Sequence, residues 1–248
     1  MNSIKNILGR IFATWFAVLF VTTLLIFIIP ICITMLFPEP RGTEIFRRIS
    51  KLWMDIFLFL TGCPIKILGK NKFVKGQNYI VTTNHNSMMD IMITTPQIPG
   101  PNKTIAKIEL SRIPIFGLIY KRGSVLVDRK NEASRKESFN KMKEVLQLGM
   151  HMCIYPEGTR NKTSEPLKSF HEGAFKLAVD TGVPIMPALL FNTKKAMPQN
   201  KTFFIWPTKM EIHFLTPVFP TPGETSTQLK DKIFQLMSDY YAAHENRV

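Results

Sequence analysis

The sequence predicts an α/β fold, with a mixed central β-sheet flanked by helices and an N-terminal membrane-associated two-helix element. Three observations carry this. Short apolar runs of strand length recur after about Lys70 and alternate with helical periods, the pattern of an α/β sandwich. From Ile11 to Pro38 no charged residue occurs, a stretch longer than the roughly 18–20 apolar residues of a spanning helix. The segment that follows carries a broad apolar arc at helical spacing. At 248 residues and 45% hydrophobic, the chain suits one α/β domain with an appendage and is too apolar to be disordered.

The first helix is expected from about Lys5, with a break near Pro30, because proline removes a helix hydrogen bond. A secretory signal peptide is the competing reading. Its apolar core would span only about 7–15 residues before an A-x-A-like site, and no such site follows here. A second helix is expected over Thr43–Leu60. Ile45, Ile49, Leu52, Trp53, Ile56, Phe57 and Leu60 form its arc, and Arg47, Arg48, Lys51 and Asp55 its polar strip. That arc suits a lipid–water interface, although a core-packing helix would carry a similar stripe. Lys5 and Arg10 precede the apolar run, whereas Arg41, Arg47, Arg48 and Lys51 follow it. The positive-inside rule therefore keeps the following domain cytoplasmic. The boundary expected is residues 1–69 for the membrane-associated helices and 70–248 for the α/β domain.

Strands are expected at Tyr79–Thr83, Thr104–Ala106, Ser124–Val127, Met152–Tyr155, Ile185–Leu190 and Met210–Phe214. Ser134 with Glu137 reads as a capping box opening a helix that buries Phe139, Met142, Val145 and Leu146 and stops at Gly149. Glu172–Thr181 is a helix ended by Gly182. A last helix, Thr227–Ala243, buries Leu229, Ile233, Leu236, Met237 and Tyr240. Prolines 184 and 187 suggest that the fifth of these strands is an edge strand or a groove wall.

The net charge of +14 calls for an anionic partner: nucleic acid, a phosphorylated substrate or an acidic membrane. Basic residues are dispersed and no nucleic-acid-binding motif occurs, so no nucleic-acid partner is expected. Three scattered cysteines offer neither a disulfide framework nor zinc spacing, and no metal site is expected.

Two motifs follow strands directly. Asn84-His85-Asn86-Ser87-Met88-Met89-Asp90 places His and Asp five residues apart. On a regular helix they would point about 140° apart. They meet only if His85 lies in the turn before a helix and Asp90 reaches back from its first turn. A carboxylate behind an imidazole fixes its tautomer and stabilises the imidazolium formed on proton abstraction. Ser87-x-x-Asp90 is also a capping-box pattern, and the residues alone leave both readings open. Tyr155-Pro156-Glu157-Gly158-Thr159-Arg160 combines a glycine for close backbone approach, a hydroxyl and a guanidinium fork suited to phosphate oxygens. A strand-exit turn with a solvated Arg160 would look the same. Lys107 and Arg129 each follow a strand, and each alone reads as a surface cation. No GxSxG elbow occurs, so no activated serine of that kind is expected.

Together these residues resemble the four blocks of the glycerolipid acyltransferase family, specifically the 1-acyl-sn-glycerol-3-phosphate acyltransferases. N-H-x-S-x-x-D is Asn84–Asp90. G-x-x-x-x-D-R is Gly123–Arg129, with Leu126 where the family usually has an aromatic. E-G-T-R is Glu157–Arg160, and V-P-I-x-P is Val183–Pro187. A-K-x-E-L at Ala106–Leu110 and P-x-F-G at Pro114–Gly117 also match, and the likeness covers nearly the whole chain.

The resemblance implies that His85, paired with Asp90, is a general base on the sn-2 hydroxyl of lysophosphatidic acid. That oxygen would attack a thioester donor directly, giving phosphatidic acid. Lys107, Arg129, Glu157, Gly158, Thr159 and Arg160 would hold the substrate phosphate, Glu157 by orienting Arg160. Val183, Pro184, Ile185 and Pro187 would line an acyl or acceptor groove. The implied partners are the bilayer, lysophosphatidic acid and acyl-CoA or acyl carrier protein, the last two as co-substrates, with no cofactor. A helical hairpin in one leaflet is implied rather than a single span. The same chemistry on glycerol-3-phosphate or another lysolipid is the alternative. A membrane-tethered protein binding anionic lipid or nucleic acid is the reading from a different class.

Overall fold

The computed structural model describes residues 2–245. Helix α1 (Asn2–Ile33) continues through Pro30 instead of breaking there. The stop comes one turn later, at a 3-10 turn over Thr34–Leu36. There the Thr34 hydroxyl donates to the Ile31 carbonyl at 2.6 Å, and Pro38 and Pro40 follow. Helix α2 (Arg41–Leu60) returns antiparallel to it. Phe16 packs on Phe57 with ring centroids 4.7 Å apart. The Trp53 indole stacks on Phe20 and donates to the Thr23 hydroxyl.

The pair is tied to the rest of the chain at both ends. At the start of α1, the Ile205 N–H donates to the Gly9 carbonyl at 3.0 Å. A Cβ on Gly9 would lie 2.1 Å from the Phe204 ring, so only glycine permits this approach. Lys201 reaches Asn6 at 3.0 Å. At the far end Glu39 pairs with Lys103 and Arg122. Helix α1 therefore lies along the domain instead of standing away from it. Its outer face, including Ile7, Ile11, Val18, Leu25 and Ile29, remains exposed.

The remaining elements are β1 (Ile65–Leu68), β2 (Ile80–Thr83), α3 (Met89–Thr94), β3 (Asn102–Lys107), α4 (Phe116–Gly123) and β4 (Ser124–Val127). Then come α5 (Glu132–Gln147), β5 (His151–Ile154), α6 (Gly173–Thr181), β6 (Ile185–Phe191), α7 (Thr193–Ala196), β7 (Met210–Phe214) and α8 (Ser226–His244). The strands form one mixed sheet in the order β1-β7-β6-β2-β5-β3-β4. Every neighbouring pair is parallel except β6–β7. Helices α1 and α2 cover one face of the sheet, and α5, α6 and α8 the other.

Four expectations change. Strand β1 lies before residue 70 and pairs with β7, so the globular part begins inside the segment assigned to the appendage. Its four residues are too few to show a period. Strand β6 is internal, not an edge. Pro187 within it and Pro184 just before it are tolerated because their carbonyls still serve: Pro184 accepts from Ile80 N and Pro187 from Leu215 N. Asn131, not Ser134, caps α5, accepting from the Ser134 N–H, while the Ser134 hydroxyl accepts from Asp128 N. At α8 the capping box is Thr225 with Gln228, and Leu236 faces outward while Leu229, Ile233 and Met237 are buried.

Candidate active site

Five adjacent strands, β6-β2-β5-β3-β4, run parallel. Their carboxyl ends share one rim, the usual place for a ligand in an α/β sheet. His85 follows β2, Lys107 ends β3, Arg129 follows β4, and the Glu157–Arg160 turn follows β5. The topology thus gathers four segments that are far apart in sequence.

His85 lies in the turn between β2 and α3, and Asp90 is the second residue of α3. Asp90 is fully buried. Its Oδ2 takes the Nδ1 of His85 at 2.8 Å, the Asn86 N–H at 2.6 Å and the Ser87 N–H at 2.7 Å. Both readings of this motif are therefore realised by one oxygen. It closes the turn before the helix and it holds the imidazole. With Nδ1 fixed as the donor, Nε2 is the basic nitrogen; it has no hydrogen-bond partner among the described residues. The ring rests against Tyr155, centroids 4.5 Å apart, and its side chain is 15% exposed.

The turn after β5 is clasped to this one through backbone. Glu157 is wholly buried. Its Oε1 accepts from the His85 N–H at 2.9 Å and its Oε2 from the Lys168 N–H at 3.2 Å. Burial pushes its carboxyl up to about 7, against the lowering effect of those two donors. The Asn161 N–H returns the contact, donating to the His85 carbonyl at 2.6 Å. Glu157 therefore braces the histidine turn and neither faces a ligand nor pairs with Arg160, correcting the role implied for it. A satisfied buried carboxylate uses its lone pairs locally. Gly158 has φ +69, and a Cβ there would lie 2.7 Å from His171.

The cations fall into two sets. The Arg129 guanidinium donates to the Gly158 carbonyl at 2.5 Å, so it shapes the turn. Thr159 accepts from Lys168 Nζ at 3.0 Å. Arg160 is exposed and lines a cavity of about 370 Å³ together with Lys201, Gln199, Met88 and Met197. Lys107 is exposed on the same rim. Lys168, Lys201 and Gln199 carry no motif, and nothing in the sequence marks them. The Gln199 amide donates to the carbonyls of Asn86 and Asn161, a further tie between the two turns.

A second cavity, about 380 Å³, adjoins the first and shares Phe16, Ala17, Met88 and Met197 with it. Its wall is almost entirely apolar: Phe20, Phe46, Trp53 and Met54 of α1 and α2, Met92 of α3, and Phe116 and Ile119 of α4. Val183, Pro184, Ile185 and Pro187 line neither cavity. Ile185 is fully buried in the core under α6 and α8, whereas the walls of the apolar cavity come chiefly from α1–α4. Among the described residues, no three His, Cys, Asp or Glu side chains group as metal ligands do.

This arrangement meets known relatives. A family model described as Acyltransferase matches residues 64–190. The chain is 27% identical over 221 residues to a probable 1-acyl-sn-glycerol-3-phosphate acyltransferase of Mycoplasma pneumoniae, covering 84% of this chain and 80% of that one. It is 30% identical over 203 residues to the human 1-acyl-sn-glycerol-3-phosphate acyltransferase alpha, covering 79% and 68%. The crystal structure of the 1-acyl-sn-glycerophosphate (LPA) acyltransferase of Thermotoga maritima shares the fold, with a TM-score of 0.77 at 21% identity over 98% of this chain and 97% of that one. With its matched region spanning β1 to β6 and holding every residue of both clasped turns, the chain is an enzyme of the acyltransferase family.

Proposed function

We propose that this enzyme transfers a fatty acyl group from a thioester donor to the sn-2 hydroxyl of lysophosphatidic acid, giving phosphatidic acid. The observation that carries the reading is the His85–Asp90 pair, oriented so that Nε2 is the basic nitrogen, beside a cation-lined cavity that opens into an apolar one. The names of the relatives supply the acceptor.

In the reaction, His85 Nε2 takes the hydroxyl proton as the oxygen attacks the thioester carbonyl. Asp90 stabilises the imidazolium that results. The tetrahedral intermediate collapses with formation of the ester C–O bond and cleavage of the C–S bond. The leaving thiolate takes the proton from His85. Arg160 and Lys201 hold the acceptor phosphate, with Lys107 adding charge on the same rim, and the apolar cavity takes an acyl chain. Arg129, Gly158 and Thr159 set the shape of the phosphate turn.

Helix α1 is tied to the domain at both ends. Its exposed apolar face therefore enters one leaflet with the helix lying along the surface, and the α/β domain sits on the cytoplasmic side. Acyl-CoA or acyl carrier protein delivers the donor from that side.

Purified enzyme given lysophosphatidic acid and either donor should release free thiol and phosphatidic acid in equal amounts. Full turnover by His85→Ala would overturn the mechanism. Equal use of an acceptor lacking phosphate would overturn the role of Arg160.

A further inference from the structure

The segment between β3 and α4 contains a strained turn that the reaction does not use. Ile115 has φ 63 and ψ −59, and the Phe116 N–H donates to the Pro114 carbonyl at 2.6 Å. This is a γ-turn of the rare, strained hand, with a β-branched residue at its centre, where positive φ is most costly. Neighbouring contacts hold it. Gly117 N donates to the Ile113 carbonyl at 2.7 Å, and a Cβ on Gly117 would lie 2.3 Å from the Ser111 carbonyl oxygen.

The turn sends neighbouring side chains in opposite directions. Phe116 goes inward to line the apolar cavity, 5.8 Å from the Phe20 ring of α1. Ile113 and Ile115 go outward, 43% and 47% exposed, with Pro114 exposed between them. Arg112 on this segment, Lys107 at the end of β3 and Lys121 in α4 are exposed, none of the three makes an ion pair among the described residues, and Glu109 is the one carboxylate from residue 107 to 121. A folded chain rarely holds strain to put aliphatic groups in water, and such strain is more often tied to a working surface.

We propose that the Ile113–Ile115 turn is a second bilayer-contacting element, which sets two isoleucines among the headgroups of an anionic leaflet beside the acyl cavity. Two features favour lipid as the occupant. Through Phe116 and Phe20 the turn meets the middle of α1 beside the apolar cavity proposed to take an acyl chain. Its apolar tip within a cationic surround matches a leaflet that is apolar below and anionic at its surface. This inference rests on the membrane reading of α1, and the test separates the two.

The test uses the full chain carrying Cys32→Ser, with single substitutions Ile113→Cys, Ile115→Cys, Val18→Cys or Glu137→Cys, each labelled with bimane. Glu137 is on α5, across the sheet. On vesicles of phosphatidylcholine and phosphatidylglycerol, doxyl lipids should quench the labels at 113, 115 and 18 severalfold more than the label at 137. Quenching at 18 but not at 113 or 115 overturns this inference and leaves the membrane reading intact. Quenching at none of the three overturns both. Protection of 113 and 115 from an aqueous quencher only on adding an acidic carrier protein overturns it in favour of protein docking. Ile115→Gly supplies a second readout, because it removes both the strain and the inserted side chain. It should melt higher and lose turnover severalfold on vesicle-borne acceptor while keeping it on a monodisperse short-chain acceptor. Equal loss on both acceptors overturns the inference.

Discussion

Asp90 meets three donors with a single oxygen, while its Oδ1 has no partner among the described residues. The carboxylate thus couples the backbone of the turn to the tautomer of His85. Asp90→Asn keeps the shape of the group. However, it either turns an amide N–H toward three donors, or keeps its oxygen there and leaves the imidazolium without its counter-charge. Its kcat should fall by about 10³–10⁴, as loss of an orienting carboxylate does in other His-Asp sites, with a much smaller change in KM. Steady-state kinetics on purified variant and parent would check this. The spacing from His85 to Asp90 left a capping pair and a catalytic pair both open in the sequence, and only the resemblance of the whole motif set favoured the second. Glu157 was not legible in the same way. It stands in the same motif as Arg160, yet its partners are the N–H groups of His85 and Lys168, and no pattern of side chains reports on backbone donors.

At the scale of elements, β5 begins with His151, a buried histidine whose Nδ1 accepts from the Tyr79 N–H at 3.0 Å. Burial holds its pKa down to about 4, from an ordinary 6.5. The folded state therefore refuses a proton that the unfolded chain accepts. Its contribution is complete above pH 6.5 and is lost as pH falls toward 4, up to about 3 kcal/mol. Urea unfolding in detergent at a series of pH values should show this decline. His151→Asn, which keeps an acceptor for Tyr79 and does not titrate, should flatten it. At the start of α1, Gly9→Val would drive a branched side chain into Phe204. A loss of about 1–3 kcal/mol is expected from such overpacking, visible as a lower melting temperature. Most strands and helices were legible because their periods are long enough to read. The β1 strand was too short, and β6 misled because prolines report on lost donors, whereas its position in the sheet uses carbonyls. The apolar stretch expected to line a groove lies away from both cavities for a related reason. Val183–Pro187 is apolar because it is core, and the cavity walls come from four helices whose packing no single segment encodes.

Across the whole molecule, the charge of +14 and the exposed face of α1 act on different ranges. On the proposed membrane reading, charge draws the protein to an anionic leaflet over about 10 Å at 0.1 M salt, while apolar burial holds it there once inserted. Raising the salt should therefore slow association with anionic vesicles without releasing protein already bound. Stopped-flow energy transfer followed by flotation would separate the two stages. Release of bound protein by salt alone would mean that the α1 face does not insert.

On the membrane reading proposed above, helix α1 presents one side to the bilayer and uses the other, through Phe16 and Phe20, as a wall of the apolar cavity. Anchor and substrate container are therefore one part, and trimming the chain for solubility would open the container. An alkyl-tailed detergent shielding the outer side carries the same kind of chain that the inner cavity is proposed to take. Extraction then supplies a competitive inhibitor along with the solvent, and the apparent affinity for acyl donor would track the detergent's tail length and concentration. Rates taken in micelles would describe an enzyme contending with its own medium, and rates taken in a lipid disc would not.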